Sequence, residues 1–130
     1  MNEQEQNKQV VRKLYERGYS EGDESMFSEL FASSFVHHSK VLHDVPPGGE
    51  GERLSMLAFR RAMPDARFEV LDLIAEGDGV VARLRVTGTP VASFGWNVRN
   101  GEAFDVRAAA IFRLHQGRLA EEWYFVDAGA

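Results

Sequence analysis

Two adjacent histidines, His37 and His38, lie in the extended-looking run FASSFVHHS. Successive side chains on an extended segment point to opposite faces, so one of the two faces inward and the other outward. A neutral imidazole near pH 7 can take and return a proton, as general acid-base chemistry requires; the alternative is a surface or internally satisfied histidine. Tyr15 stands among apolar residues at helical spacing, so its ring is buried and its hydroxyl needs a partner, either a backbone carbonyl or a group in a pocket. Near the end of the chain, Glu122 and Tyr124 face inward in one of two possible strand registers, while Trp123 and Asp127 share the other face. An inward Glu122 is costly without a partner and its pKa rises, which suits a general acid. In the other register Glu122 is a solvated strand residue.

The set offers proton transfer and little else. The sequence has no cysteine, which removes disulfides, thiolate nucleophiles, iron-sulfur clusters and cysteine zinc sites. The four histidines and the scattered carboxylates show no HExxH or comparable ligand spacing, so no metal is expected. GDGV and PPGGEG lack the strand, lysine and helix context of a phosphate loop and read as turns, so no cofactor is expected either. Trp96, in the run FGWN, either covers a pocket mouth or anchors its own loop.

These residues need elements to hold them. Val10, Val11, Leu14 and Tyr15 make a single stripe on a helix between Glu3 and Tyr19, ended by Gly18 and then Gly22-Asp23. Asp23 reads as the N-cap of a short second helix whose face is Met26, Phe27, Leu30 and Phe31. A brief strand follows at Phe35 to His38, and Pro46-Pro47-Gly48-Gly49 makes a loop. Leu54, Leu57, Ala58 and Ala62 mark a third helix, terminated by Met63-Pro64-Asp65. From Arg67 onward the period becomes extended, with turn signals at Glu76-Gly77-Asp78-Gly79, Asn100-Gly101 and Gln116-Gly117. Three helices followed by an antiparallel meander predict one α+β domain over residues 1–130, with a curved sheet and helices on one side.

The last hairpin decides which side chains meet the helices. A two-residue turn at Gln116-Gly117 pairs His115 with Arg118 and sets Ala108 and Ala110 beside Glu121, Trp123 and Phe125. A three-residue loop with Gly117 in the left-handed conformation pairs Leu114 with Arg118, and Ala108 and Ala110 then face Tyr124 and Glu122. A glycine at the third loop position favours the second form. Ala108 and Ala110 are small residues in mid-strand, which either leave a cavity or admit a helix closely.

The chain has 130 residues, of which 44% are hydrophobic, 11% aromatic and 27% charged, a globular composition able to close a core. A net charge of -5 argues against binding to nucleic acid or to an anionic membrane surface. No apolar run approaches the ~20 residues that span a bilayer. The polar start MNEQEQNKQV has no basic region followed by an apolar one, and together with the missing cysteines it predicts a cytoplasmic protein.

Taken in order, KLYERGYSEGD, FASSFVHHS, GGEG, FRRAMPDARFEVLDLIAEGD, RVTGTP and FRLHQGRLAEEWYFVD resemble the SnoaL-like polyketide cyclase group. That group belongs to the nuclear transport factor 2-like superfamily, which also holds ketosteroid isomerase and limonene epoxide hydrolase. The resemblance implies a cone-shaped α+β barrel, with three N-terminal helices packed on a strongly curved antiparallel sheet, and a dimer formed through the sheet. Ketosteroid isomerase carries a tyrosine seven residues before the glycine of its GD pair, the place of Tyr15 here, and a general base where FVHHS puts His38. Its buried acid falls at Ala110, which cannot donate a proton, so a steroid-isomerase mechanism is not implied. The catalytic aspartate of the characterised cyclases falls at Tyr124, and a second, structural aspartate of those families at Asp127. The acid role then passes to Glu122, His38 or Asp127, or the chemistry differs.

The expectation is a cofactor-independent cyclase, isomerase or hydrolase for a hydrophobic carbonyl-bearing small molecule. In it His38 moves the proton, and Tyr15 with Tyr124 steadies an enolate oxygen. The alternative is a binding or dimerisation module of the same fold, without catalysis.

Overall fold

The computed structural model describes residues 1–39, 44–92 and 100–127. The first helix, α1 (Glu3–Lys13), starts where the Asn2 side chain accepts the Glu5 amide at 2.8 Å, with Glu3 and Glu5 in its first turn and Arg12 and Lys13 in its last. It runs straight into a π-helical segment, Leu14–Tyr19, closed by the Ser20 amide on the Tyr15 carbonyl. The wider winding stacks residues four apart, and the rings of Tyr15 and Tyr19 lie 5.5 Å apart at 23°. Gly18, expected to end the helix, sits inside this segment, where an added methyl group would press on the Phe27 ring at 3.3 Å.

A short helix α2 (Met26–Glu29) follows, with Asp23 accepting the Ser25 amide just before it. Strand β1 (Phe31–His37) begins earlier than expected and takes Phe31 from the helix; His38 lies just beyond it. Helix α3 (Gly48–Ala62) packs against β1 and α2. Its buried face is Glu52, Met56, Phe59 and Ala62, whereas Leu54, Leu57 and Ala58 are only half-buried. The stripe is therefore rotated from the one read in the sequence, and its first member is a carboxylate.

Strands β2 (Arg67–Glu76), β3 (Gly79–Gly88), β4 (Phe104–His115) and β5 (Arg118–Asp127) form the expected antiparallel meander. The sheet order is β1-β5-β4-β3-β2, and β1 joins β5 in parallel, so the sheet is mixed and curled with two open edges. The β2–β3 turn has Gly77 at φ 57 in its first central position. Asn100-Gly101 lies within the long connection from β3 to β4 and does not form a two-residue turn. Trp96 falls outside the described residues. Among the described residues, no helix is long and apolar enough to cross a membrane.

The last hairpin combines the two expected geometries. Its turn has two residues, with Gln116 at φ 51 and Gly117 at φ 77, and pairs His115 with Arg118. One extra residue then enters β5, because Leu114 faces Leu119 while Arg113 faces Glu121, leaving Ala120 as the bulge. The bulge lies in the strand, not in the loop, and its effect on facing is the same: Phe112 opposes Glu122 and Ala110 opposes Tyr124. The core contains Val80, Ala82, Leu84 and Val86 of β3 and Ala108, Ala110 and Phe112 of β4, with Tyr15 and Phe112 fully buried between the layers.

Candidate functional site

Four elements deliver polar side chains to one place inside this apolar interior. The π-helical segment supplies Tyr15 and Tyr19, β1 supplies His37, α3 supplies Glu52, and β5 supplies Glu122 and Tyr124. The His37 Nε2 lies 3.4 Å from Glu122 Oε1 and 4.0 Å from Glu52 Oε1. The Ser39 amide donates to His37 Nδ1 at 3.0 Å, so the ring's own hydrogen sits on Nε2 and points at the two carboxylates. Tyr15 donates to Glu122, and the Tyr19 hydroxyl meets Glu52 Oε1 at 3.5 Å. Each carboxylate thus has a tyrosine of its own and shares the histidine.

Glu52 and Glu122 are 5% and 3% exposed, far below what an unpartnered charge tolerates. Burial pushes the Glu122 carboxyl well above the usual carboxylate range, the nearby Glu52 pushes it further, and the Tyr15 hydrogen bond opposes both. Burial also raises the phenols, followed by Glu122 for Tyr15 and Tyr124 and by Glu52 for Tyr19. All three tyrosines therefore stay protonated and serve as donors, not bases.

Glycines let Glu52 arrive. A methyl group on Gly49 would run into the Phe27 carbonyl, and one on Gly51 into the Pro46 carbonyl. The first turn of α3 lies directly on backbone at both points, and the GGEG run is a close-approach device.

The structure brings Tyr15, Glu122 and Tyr124 together and puts two others elsewhere. His38 points outward, where its Nε2 meets Glu121 at 2.9 Å and its ring stacks on Trp123 at 4.6 Å. Asp127 is exposed at the end of β5, across from Arg107 on that same outer face. His37, the inward member of the histidine pair, completes the cluster with Glu52 and Tyr19, two residues that the sequence reading does not single out. The signals existed: Phe35 and His37 share parity on β1, Glu52, Met56 and Phe59 follow helical spacing, and Tyr19 is four residues from Tyr15.

Among the described residues, His37, Glu52 and Glu122 form the one group whose donor atoms, all within 4.8 Å of one another, could hold a metal ion. Donors ~2.1 Å from a tetrahedral ion sit ~3.4 Å apart. The 4.0 Å from His37 to Glu52 is wider than that, and both carboxylates already have phenol partners. The arrangement suits a proton better than a cation. A separate cleft of about 600 Å³ lies on the outside near Arg60 and Arg67. The Arg60 guanidinium there is taken up by the carbonyls of Tyr19, Ser20, Ala66 and Pro64.

Solved structures share this frame. A putative polyketide cyclase from Bacillus cereus ATCC 10987 is 25% identical, with 94% of this chain and 74% of that one covered at a TM-score of 0.78. IdmH, a putative polyketide cyclase from Streptomyces antibioticus, is 27% identical, with 94% and 92% covered at 0.77. TsrD from Streptomyces laurentii, at 24% identity, shares the fold with 98% and 92% covered at 0.84. No curated protein sequence matches the chain to a significant level. The model of the SnoaL-like polyketide cyclase family matches residues 9–130, nearly the whole length described above, and the chain belongs to that family.

Proposed function

We propose that this protein is a cofactor-independent catalyst of the cyclase, isomerase or hydrolase type, moving protons on a hydrophobic carbonyl-bearing small molecule in the cytoplasm. The observation that carries the reading is Glu122, a carboxyl held in an apolar interior with Tyr15 and the His37 Nε2 on it. Its raised pKa keeps a proton available near neutral pH for a carbonyl oxygen, and the tyrosine hydroxyls supply hydrogen bonds to the charge that develops there. His37, not His38, is the imidazole beside that carboxyl, and its Nε2–H donates to Glu122 and orients it.

A library of apolar ketones and β-dicarbonyl compounds, screened by thermal shift and then recovered for analysis, tests the reading. His37→Ala keeps the binding shift and loses turnover by about 10²-fold. Equal turnover in that variant removes His37 from the mechanism. A second reading, a binding module, is favoured by Tyr124: its phenol, raised by burial, cannot act as the base that an aspartate would provide. Recovery of every stabilising compound chemically unchanged supports that module.

The outer face of the sheet supports a homodimer. Ile74, Val81, Ile111 and Trp123 are successive cross-strand partners in one row, and Ile74 and Phe125 are 65% and 56% exposed. Ile74→Asp combined with Phe125→Asp yields a monomer by light scattering, with the fold kept by circular dichroism.

A further inference from the structure

The outer cleft beside Arg60 takes no part in the acid-base reading. Its volume of about 600 Å³ is that of a small-ligand site, and it shares no lining residue with the buried cluster. Its floor is fixed by Ser20, whose hydroxyl accepts the Phe68 amide at 2.8 Å and donates to the Phe68 carbonyl at 3.1 Å.

Arg60 is half-buried in the wall of the cleft, and among the described residues no carboxylate pairs with it. Carbonyls hold it instead. Its Nη1 donates to Tyr19 at 3.0 Å, Ser20 at 2.8 Å and Ala66 at 3.3 Å, and its Nη2 donates to Pro64 at 3.2 Å. These bonds use both hydrogens of Nη1 and one of Nη2, which leaves the Nε–H and a second Nη2–H without an acceptor among the described residues. Nε and Nη2 share one edge of the guanidinium, the edge on which a carboxylate makes two parallel charge-assisted bonds. Gly22 keeps that edge uncovered, since a methyl group on it would stand 3.1 Å from Nε.

Arg67, at the rim, is exposed and likewise has no ion-pair partner among the described residues. The acids of the cleft have other partners. Glu16 pairs with Arg12 at 2.9 Å, Asp65 accepts the Thr89 amide at 2.7 Å, and Glu69 stands opposite Arg85 in the β2–β3 register. Pro64 and Val70 add apolar surface beside the two arginines.

We propose that this cleft binds a small organic carboxylate. The carboxylate sits on the Nε–Nη2 edge of Arg60, Arg67 covers it from the rim, and the apolar body of the ligand lies on Pro64 and Val70. A monoanion fits better than a phosphate dianion, because the three acids of the same cleft repel a second negative charge. The site stands or falls independently of the buried cluster.

Titration of the full-length protein, labelled with nitrogen-15, by phenylacetate at constant ionic strength tests the site, with the arginine Nε–H signals as reporters. The Arg60 Nε–H signal moves downfield and saturates with a Kd of about 1 mM, as a probe of this size allows. Phenylacetamide, the neutral counterpart, leaves the signal in place. Arg67→Ala weakens binding about threefold. Arg60→Gln, read on the Ser20 and Phe68 amide signals, weakens it about tenfold or more.

An Arg60 signal that does not saturate well above the expected Kd overturns the site. An equal response to phenylacetamide, or a larger one to inorganic phosphate, overturns the carboxylate assignment. An unchanged Kd in Arg67→Ala overturns the two-arginine grip. Movement of the His37 ring signals with Arg60 unmoved puts the probe in the buried cluster and overturns the outer site as well. If Arg60→Gln does not fold, the wild-type Arg60 signal and the Arg67 variant still decide.

Discussion

Replacing Glu122 by Gln makes the protein more stable above acidic pH and at the same time disables it. Glu122 has its folded-state pKa raised above the ordinary 4.5, by burial first and by Glu52 second. Below about pH 4.5 the carboxyl is protonated in both folded and unfolded chains and contributes nothing to the pH dependence. As pH rises beyond that, the unfolded chain releases its proton while the folded chain still holds it, so stability falls up to the folded-state pKa. Glutamine has no proton to lose, and it still accepts the Tyr15 hydrogen bond. The variant therefore matches wild type near pH 4 and exceeds it by roughly 1–3 kcal/mol at pH 8, the cost of keeping an unfavourable group buried. Catalytic proton transfer falls by about 10²–10⁴-fold. Chemical denaturation at pH 4 and pH 8, with turnover of whichever compound the screen identifies, checks both halves. A variant less stable than wild type at pH 8 contradicts the burial argument.

Gly51→Ala has the opposite sign from what helix propensity dictates. Alanine in place of glycine inside a helix ordinarily stabilises by about 0.5–1 kcal/mol. Here the new methyl group meets the Pro46 carbonyl oxygen, a backbone atom that cannot swing aside, and the Val45 side chain stands beside it. Overpacking against backbone costs about 3 kcal/mol, or roughly 10 °C in Tm for a chain of this size. Because Gly51 precedes Glu52, whatever relaxation occurs also moves that carboxylate away from His37. The expected result is a lower midpoint together with lost activity, read by thermal and urea denaturation. A neutral or stabilising Gly51→Ala shows that α3 does not need this close approach.

The fold was legible because periodicity and turn chemistry agreed along most of the chain. Gly77 and Gly117 marked the hairpins, Pro64 closed α3, and three amphipathic stretches gave three helices. The parallel seat of β1 was not legible, since nothing local to FASSFVHHS says which sheet edge it joins. The site was half legible. Tyr15, Glu122 and Tyr124 followed from stripe and register, but His37 was passed over for His38 although Phe35 fixed the inward parity. Glu52 was hidden for a different reason. A charged residue at the head of an apolar stripe reads as the solvated side of a helix, and it is tertiary partners, His37 and Tyr19 among them, that make its burial tolerable.

The bulge at Ala120 makes β5 a strand with two complete vocabularies. One face sends Glu122 and Tyr124 into the buried polar cluster, and the other holds Glu121, Trp123 and Phe125 for contact with His38 and for the outer sheet surface. Only the count of residues between the turn and Glu121 decides which face looks inward. Losing Ala120 would exchange the two, turning a tryptophan and a phenylalanine into the core and the acid and its tyrosine into water. For this strand, a change of length is a larger step than a change of any single side chain.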